Sequence, residues 1–214
     1  MVSGQWPVRP KRSRLLGNHS LATDDSPLRT ALMAIYIAML RGINIGPHKR
    51  IKMDRLRESV EGLGFDQVKT YIQSGNVVFN ARKISPVVLG PKIEERLLKD
   101  FGFSISVILR TREQMGKVIR ENPVLKEKGV DPAKLHVAFL SDAPKAVSLV
   151  KLETLTLAPD RACCLGKELY LYFPNGVSGS SLWKHPLDRV LSVMTTMRNW
   201  NTVNQLHAIA QELG

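Results

Sequence analysis

From Ala34 to Arg41, Ile35, Ile37 and Met39 alternate with Tyr36, Ala38 and Leu40, so both faces of the run are apolar. Period-two spacing predicts a strand, and a strand apolar on both sides must be covered on both. That argues against an open sheet face offered to bases. Gly42-Ile43-Asn44-Ile45-Gly46-Pro47 reads as a loop. Met53, Leu56, Val60 and Leu63 then recur at helical spacing, with Gly64 placed for a left-handed helix end. Val68 to Phe79 alternates around Ser74-Gly75, which predicts a hairpin with Gln73, Ser74 and Asn76 at its tip. Pro86 to Phe101 reads as a second helix, and Ile105, Val107 and Leu109 as a fourth strand.

The order of elements then returns. Glu113 to Glu121 reads as a short helix broken by Asn122-Pro123, and Leu135 to Ser141 as a strand. Ala143 to Leu152 is helical in pattern, and Arg161 to Leu165 with Glu168 to Phe173 forms a second hairpin around Gly166-Lys167. A brief helix is expected over Gly179 to His185 and a last strand over Leu191 to Thr196. The closing helix is expected over Arg198 to Leu213. Strand, helix, hairpin, helix, strand is the split βαβ arrangement. The expected fold is therefore α+β, with two tandem ferredoxin-like plaits over 33–122 and 123–214.

Composition changes this picture at two places. The first 32 residues carry five basic and two acidic side chains without periodicity, and +9 of the formal net charge of +12 lies beyond them. They are expected to form a disordered basic tail, or to precede a true start at Met33. No apolar core follows their basic residues as a signal peptide requires. The overall positive field favours phosphorylated ligands and polyanions. No run reaches the roughly 20 apolar residues that span a bilayer, so no membrane partner is expected. Cys163 and Cys164 are adjacent and poorly placed to bridge each other, which suits a reduced, cytoplasmic setting.

Three motifs together resemble a known family. They are Leu40-Arg41-Gly42-Ile43-Asn44 with Ile51-Lys52-Met53, then Thr70 to Phe79, then Arg198-Asn199-Trp200-Asn201-Thr202-Val203. In that order they resemble the bacterial domain-of-unknown-function 1697 family over about 33–213. The resemblance implies a pair of ferredoxin-like plaits and no established activity.

The candidate chemistry is polar and cationic. Arg41, Gly42, Asn44, Lys49, Arg50 and Lys52 surround a helix start, where backbone N–H groups and cations suit a phosphate; equally, the glycines serve turn geometry and Arg41 pairs with an internal carboxylate. Gln73, Ser74 and Asn76 either face a ligand or satisfy their own turn. Arg198, Asn199 and Asn201 either cap the last helix or join the first loop across a cleft. Tyr170 and Tyr172 are expected to pack between the halves rather than to stack bases. The five histidines lack metal-ligand spacing, so neither metal nor cofactor is expected. The leading expectation is binding of a phosphorylated small molecule or nucleic acid in an inter-domain cleft. The alternatives are an enzyme on a small phosphorylated or acyl substrate there, and a structural module that self-associates through strand edges.

Overall fold

A computed structural model describes residues 32–214, so all but Leu32 of the expected tail lies outside the described residues. The first half runs β1 (Met33–Leu40), α1 (Met53–Glu61), β2 (Asp66–Tyr71), β3 (Asn76–Arg82), α2 (Pro86–Phe101), β4 (Val107–Thr111) and α3 (Arg112–Arg120). The second runs β5 (Leu135–Leu140), α4 (Ala146–Leu155), β6 (Arg161–Leu165), β7 (Glu168–Tyr172), α5 (Leu187–Leu191), β8 (Thr195–Asn199) and α6 (Trp200–Glu212). The fold is α+β, with two four-stranded antiparallel sheets ordered β2-β3-β1-β4 and β6-β7-β5-β8.

The double-sided pattern of β1 explains how these layers stack. Tyr36, Ala38 and Leu40 pack with Leu56 and Val60 of α1 and with Leu89, Ile93 and Leu97 of α2. Ile35, Ile37 and Met39 enter a different core, shared with Leu135, Val137 and Phe139 of β5. Met115 and Val118 of α3, and Trp200, Val203 and Leu206 of α6, complete it. Tyr170 and Tyr172 lie in this shared core too, and the Tyr170 hydroxyl donates to the Val118 carbonyl at 3.0 Å. They are interface, not an exposed platform. The opposite face of the second sheet puts Ala138, Leu140, Leu169 and Leu171 against Leu152, Val190 and Leu191. Phe139 is fully buried, so cutting it to Ala costs about 3–5 kcal/mol.

Three expectations need correction. The first hairpin does not turn at Ser74-Gly75 alone: β2 ends at Tyr71, β3 begins at Asn76, and Ile72 lies exposed in the turn at φ 48°. Asn76 holds that longer turn, donating from Nδ2 to the Tyr71 carbonyl (3.0 Å) and Ser74 Oγ (3.1 Å). Residues 187–191 form the short helix α5, ended by Ser192 at φ 56°, so the last strand starts only at Thr195. Arg198 accordingly sits in β8 opposite Val137, not in the final helix. Its neighbours Thr195 and Thr196 are buried polar residues, which is why no apolar alternation marked the strand.

Candidate functional site

Arg198 is buried, and its guanidinium points across the shared core toward the first sheet. Nε donates to Asn76 Oδ1 at 2.6 Å, while Nη1 donates to Thr196 Oγ1 (2.9 Å) and the Met197 carbonyl (2.8 Å). Nη2 donates to the carbonyls of Leu40 (2.8 Å), Ser74 (3.1 Å) and Gly75 (3.4 Å). Every nitrogen is engaged by protein acceptors, none of them a carboxylate. Burial pulls the Arg198 pKa down to about 10, so the group remains a cation at neutral pH. A guanidinium so placed ties two sheets together; it offers an incoming anion little.

A second arginine repeats the arrangement in reverse. Arg110, in β4, donates from Nε to Glu168 Oε1 at 2.7 Å and from Nη1 to the Leu109 carbonyl at 2.8 Å. Its Nη2 reaches the Leu140 and Lys167 carbonyls at 2.9 and 3.0 Å. Arg110 pairs with Ile37 of β1 in register, as Arg198 pairs with Val137 of β5. Sequence reasoning missed Arg110. The signal was a charged residue inside the apolar run Val107-Ile108-Leu109.

The first loop is built around Asn44, which adopts φ 56°. Its Nδ2 donates to the Gln73 carbonyl (2.8 Å) and the Ile51 carbonyl (3.1 Å), and its Oδ1 accepts from the Ile51 N–H (2.8 Å). The loop is thereby closed on itself and fixed to the hairpin. Arg41 ion-pairs with Asp188, whose Oδ1 also accepts from the N–H of Thr195 at 2.9 Å. Lys49 donates to the Ser104 carbonyl at 3.1 Å and lies over the Phe103 ring. Arg50 and Lys52 are exposed and have no partner among the described residues; Lys52 occupies the cap position of α1.

The predicted residues therefore divide. Arg198, Asn76 and the Ser74 carbonyl come together as a structural clamp, and Asn44 meets Gln73 through its backbone. Asn199 caps α6, its Oδ1 accepting from the Thr202 N–H at 2.8 Å. Gly42, Lys52, Gln73, Ser74 and Asn201 stay exposed. No nucleophile with an adjacent base emerges from the set. Among the described residues no three His, Cys, Asp or Glu side chains gather as metal ligands. No described helix is long and apolar enough to cross a membrane.

A groove of about 770 Å³ opens elsewhere, beside β4, lined by Gly90, Glu94, Leu109, Arg110, Lys117 and Lys167 among others. Its charges are matched internally: Lys117 lies 3.8 Å from Glu121, and Lys167 lies 3.1 Å from Asp142.

The profile of a family described as "Protein of unknown function (DUF1697)" matches residues 33–170, which include the β1 loop and the first hairpin. The chain belongs to the DUF1697 family. No curated protein matches this DUF1697 chain. A solved structure of a conserved bacterial protein from Streptococcus pneumoniae is similar to it with a TM-score of 0.67, covering 83% of this chain and 99% of that one. At 23% identity, that likeness speaks for the fold.

Proposed function

We propose that this protein binds phosphate-bearing anions, as small phosphorylated molecules or nucleic acid, on the cationic surface of the loop between β1 and α1. The observation carrying the reading is the pair Arg50 and Lys52, without a partner among the described residues, on a loop that Asn44 holds in place. A preformed loop loses little entropy on binding, and Lys52 stands where the α1 N–H groups and helix dipole favour negative charge. The surplus of cations over the whole chain steers polyanions toward it. The reading moves the site from a cleft around Arg198 to the loop surface, because the Arg198 donors are already used. An enzyme built on Arg41, Asn44, Gln73, Ser74 and Arg198 has less support, since Arg41 is paired with Asp188 and the Asn44 and Arg198 side chains are engaged by the fold's own acceptors.

Each half is best read as a ferredoxin-like plait, supported by the βαββαβ order and by sheet orders that place the first and third strands at the centre. The free thiols of Cys163 and Cys164 support a cytoplasmic setting.

Fluorescence anisotropy with labelled single- and double-stranded oligonucleotides, beside thermal-shift measurements with nucleotides and phosphosugars, tests the site. Binding should weaken steeply with salt. It should be lost in R50E/K52E at an unchanged melting temperature. Binding that ignores salt, or survives that double variant, refutes the reading.

A further inference from the structure

We infer that β6 is the docking edge of the protein and that its occupant is a second copy of this chain, added antiparallel to make one continuous sheet. This inference does not depend on the anion site.

Two open-edged sheets have four outer strands, β2, β4, β6 and β8, and an unpaired edge invites another strand. Three of these edges are blocked. In β4 the outward N–H of Val107 is taken by Glu94 Oε1 at 2.7 Å, the Leu109 carbonyl by Arg110, and the Thr111 N–H by Gln114 Oε1 at 2.9 Å. In β8 Asp188 takes the Thr195 N–H and Arg198 takes the Met197 carbonyl. The register of β2 against β3 breaks between Asp66 and Lys69, with Gln67 at φ 53°, and Lys69 is held 3.2 Å from Glu212 of α6. Bulges and edge lysines are the usual means of keeping strands apart.

β6 has none of these devices. Its five residues pair with β7 in unbroken register, from Arg161 opposite Tyr172 to Leu165 opposite Glu168. The two-residue turn Gly166-Lys167 makes Leu165 and Glu168 a hydrogen-bonded pair, so Arg161, Cys163 and Leu165 bond toward β7. The N–H and C=O groups of Ala162 and Cys164 therefore face outward, where no described strand lies. The strand holds no proline, lysine or bulge. α4 lies against the face of β6 that carries Ala162 and Cys164, and its Val147 and Val150 are 73% and 59% exposed; Leu165, on the other face of the strand, is 42% exposed.

Self-pairing fits the order of residues. A two-fold axis through Cys163 sets Ala162 opposite Cys164 of the second copy, and each such pair exchanges both backbone hydrogen bonds. Arg161 then faces Leu165 of the second copy, so no charge meets its like across the seam. Arg161 keeps its partner Glu127 and its place over the Tyr172 ring. The two Cys163 residues meet as a non-hydrogen-bonded pair with Cα atoms about 4.5 Å apart, inside the roughly 4.4–6.8 Å that a disulfide spans. Cys164, on the alternate face, is not so placed.

The test is sedimentation velocity of the full chain over a wide dilution series, with diamide treatment in parallel. Diamide removes two electrons and two thiol hydrogens as the Sγ–Sγ bond forms. The expected result is a species of twice 23.9 kDa that dissociates on dilution. Diamide should trap it as a covalent dimer in the wild type and in Cys164→Ser, but not in Cys163→Ser. Ala162→Pro removes an outward N–H that β7 does not use, and should give a monomer of unchanged melting temperature. Should that proline lower the melting temperature, Leu165→Lys decides. It leaves the backbone intact and sets a cation opposite Arg161, and it should also be monomeric. A monomer at every concentration, trapping through Cys164 instead, or a dimer that survives Leu165→Lys would overturn the inference. So would a monomer whose β6 edge captures a strand of another protein.

Discussion

Arg110 and Arg198 cross the molecule in opposite directions, each leaving the fourth strand of its own sheet to hold the hairpin turn of the other. Arg198 ends on Asn76 and the Leu40 carbonyl; Arg110 ends on Glu168 and the Leu140 carbonyl. The difference between them is charge. One cation is solvated by neutral groups alone, the other by carbonyls and a carboxylate.

Removing Arg198 should therefore damage the fold before it affects any ligand. Arg198→Ala leaves the Leu40 carbonyl and Asn76 Oδ1 without the guanidinium donor, at about 1–3 kcal/mol per buried unsatisfied group. A loss on the order of 3 kcal/mol or more is expected from urea denaturation. Unchanged stability with abolished anion binding would contradict the clamp.

Glu168 gives the complementary experiment. Glu168→Gln makes the Arg110 clamp resemble the Arg198 clamp and should cost only about 1 kcal/mol, the worth of one hydrogen bond. Glu168→Leu removes the acceptor altogether, and an unpaired buried charge is worth about 3–5 kcal/mol. Equal effects of the two substitutions would show that the carboxylate's charge, not its geometry, matters.

The Arg41–Asp188 pair should be strongly one-sided. Arg41 is half exposed, so Arg41→Ala should cost less than about 1 kcal/mol. Asp188→Ala also strips the acceptor from the Thr195 N–H and hydroxyl, the latter bonded at 2.5 Å, and should cost about 2 kcal/mol. Thermal melts of the two variants side by side measure the asymmetry.

Two glycines separate backbone strain from collision. Gly42 and Gly75 both have positive φ, 68° and 76°. A Cβ on Gly42 meets nothing within 4 Å, whereas one on Gly75 would lie 2.5 Å from Ile43 Cδ1 and 3.0 Å from Leu40 Cβ. Gly42→Ala should lose about 1–2 kcal/mol from the left-handed conformation alone. Gly75→Ala should lose distinctly more, and comparable denaturation midpoints would refute the close approach.

Stability should fall as pH drops below neutrality. Burial holds His136 below the usual imidazole range, against a smaller opposing pull from the Lys134 backbone. His207 is lowered by burial first and then by the Arg120 and Arg112 guanidinium groups. The unfolded chain then takes up protons near pH 6.5 that the folded chain refuses, so the folded state weakens from about that pH downward. Asp100, held low chiefly by the Arg96 hydrogen bond and then by Ser59, adds its own loss only in the acid range, as pH falls through its depressed pKa. Denaturation midpoints measured from about pH 7.5 to pH 5 should decline, and His207→Gln should flatten part of that slope.

What the sequence disclosed followed from where side chains are apolar. Ile35, Ile37 and Met39 alternating with Tyr36, Ala38 and Leu40 announced a strand covered on both faces, and the two sheets and most helices were legible from such runs. β8 was not, because Thr195, Thr196 and Arg198 are buried by hydrogen bonding rather than by hydrophobicity. The same blindness placed Arg198 on a helix. Asn44 and Asn76 stood out in the sequence as candidate ligand contacts, but a residue list cannot separate a side chain that serves its own turn, as these two do, from one that waits for a ligand. The partner carbonyls of Leu40, Ser74 and Gln73 carry no side-chain signature at all.

The core that takes Met39 from one sheet and Phe139 from the other has a consequence for how this chain can be divided. A break in the connection between α3 and β5 would yield two fragments, each baring half of an oily seam and one arginine stripped of its receiving carbonyls. Neither should persist by itself in water, yet the two expressed together should find each other and restore the intact fold, much as separate subunits do.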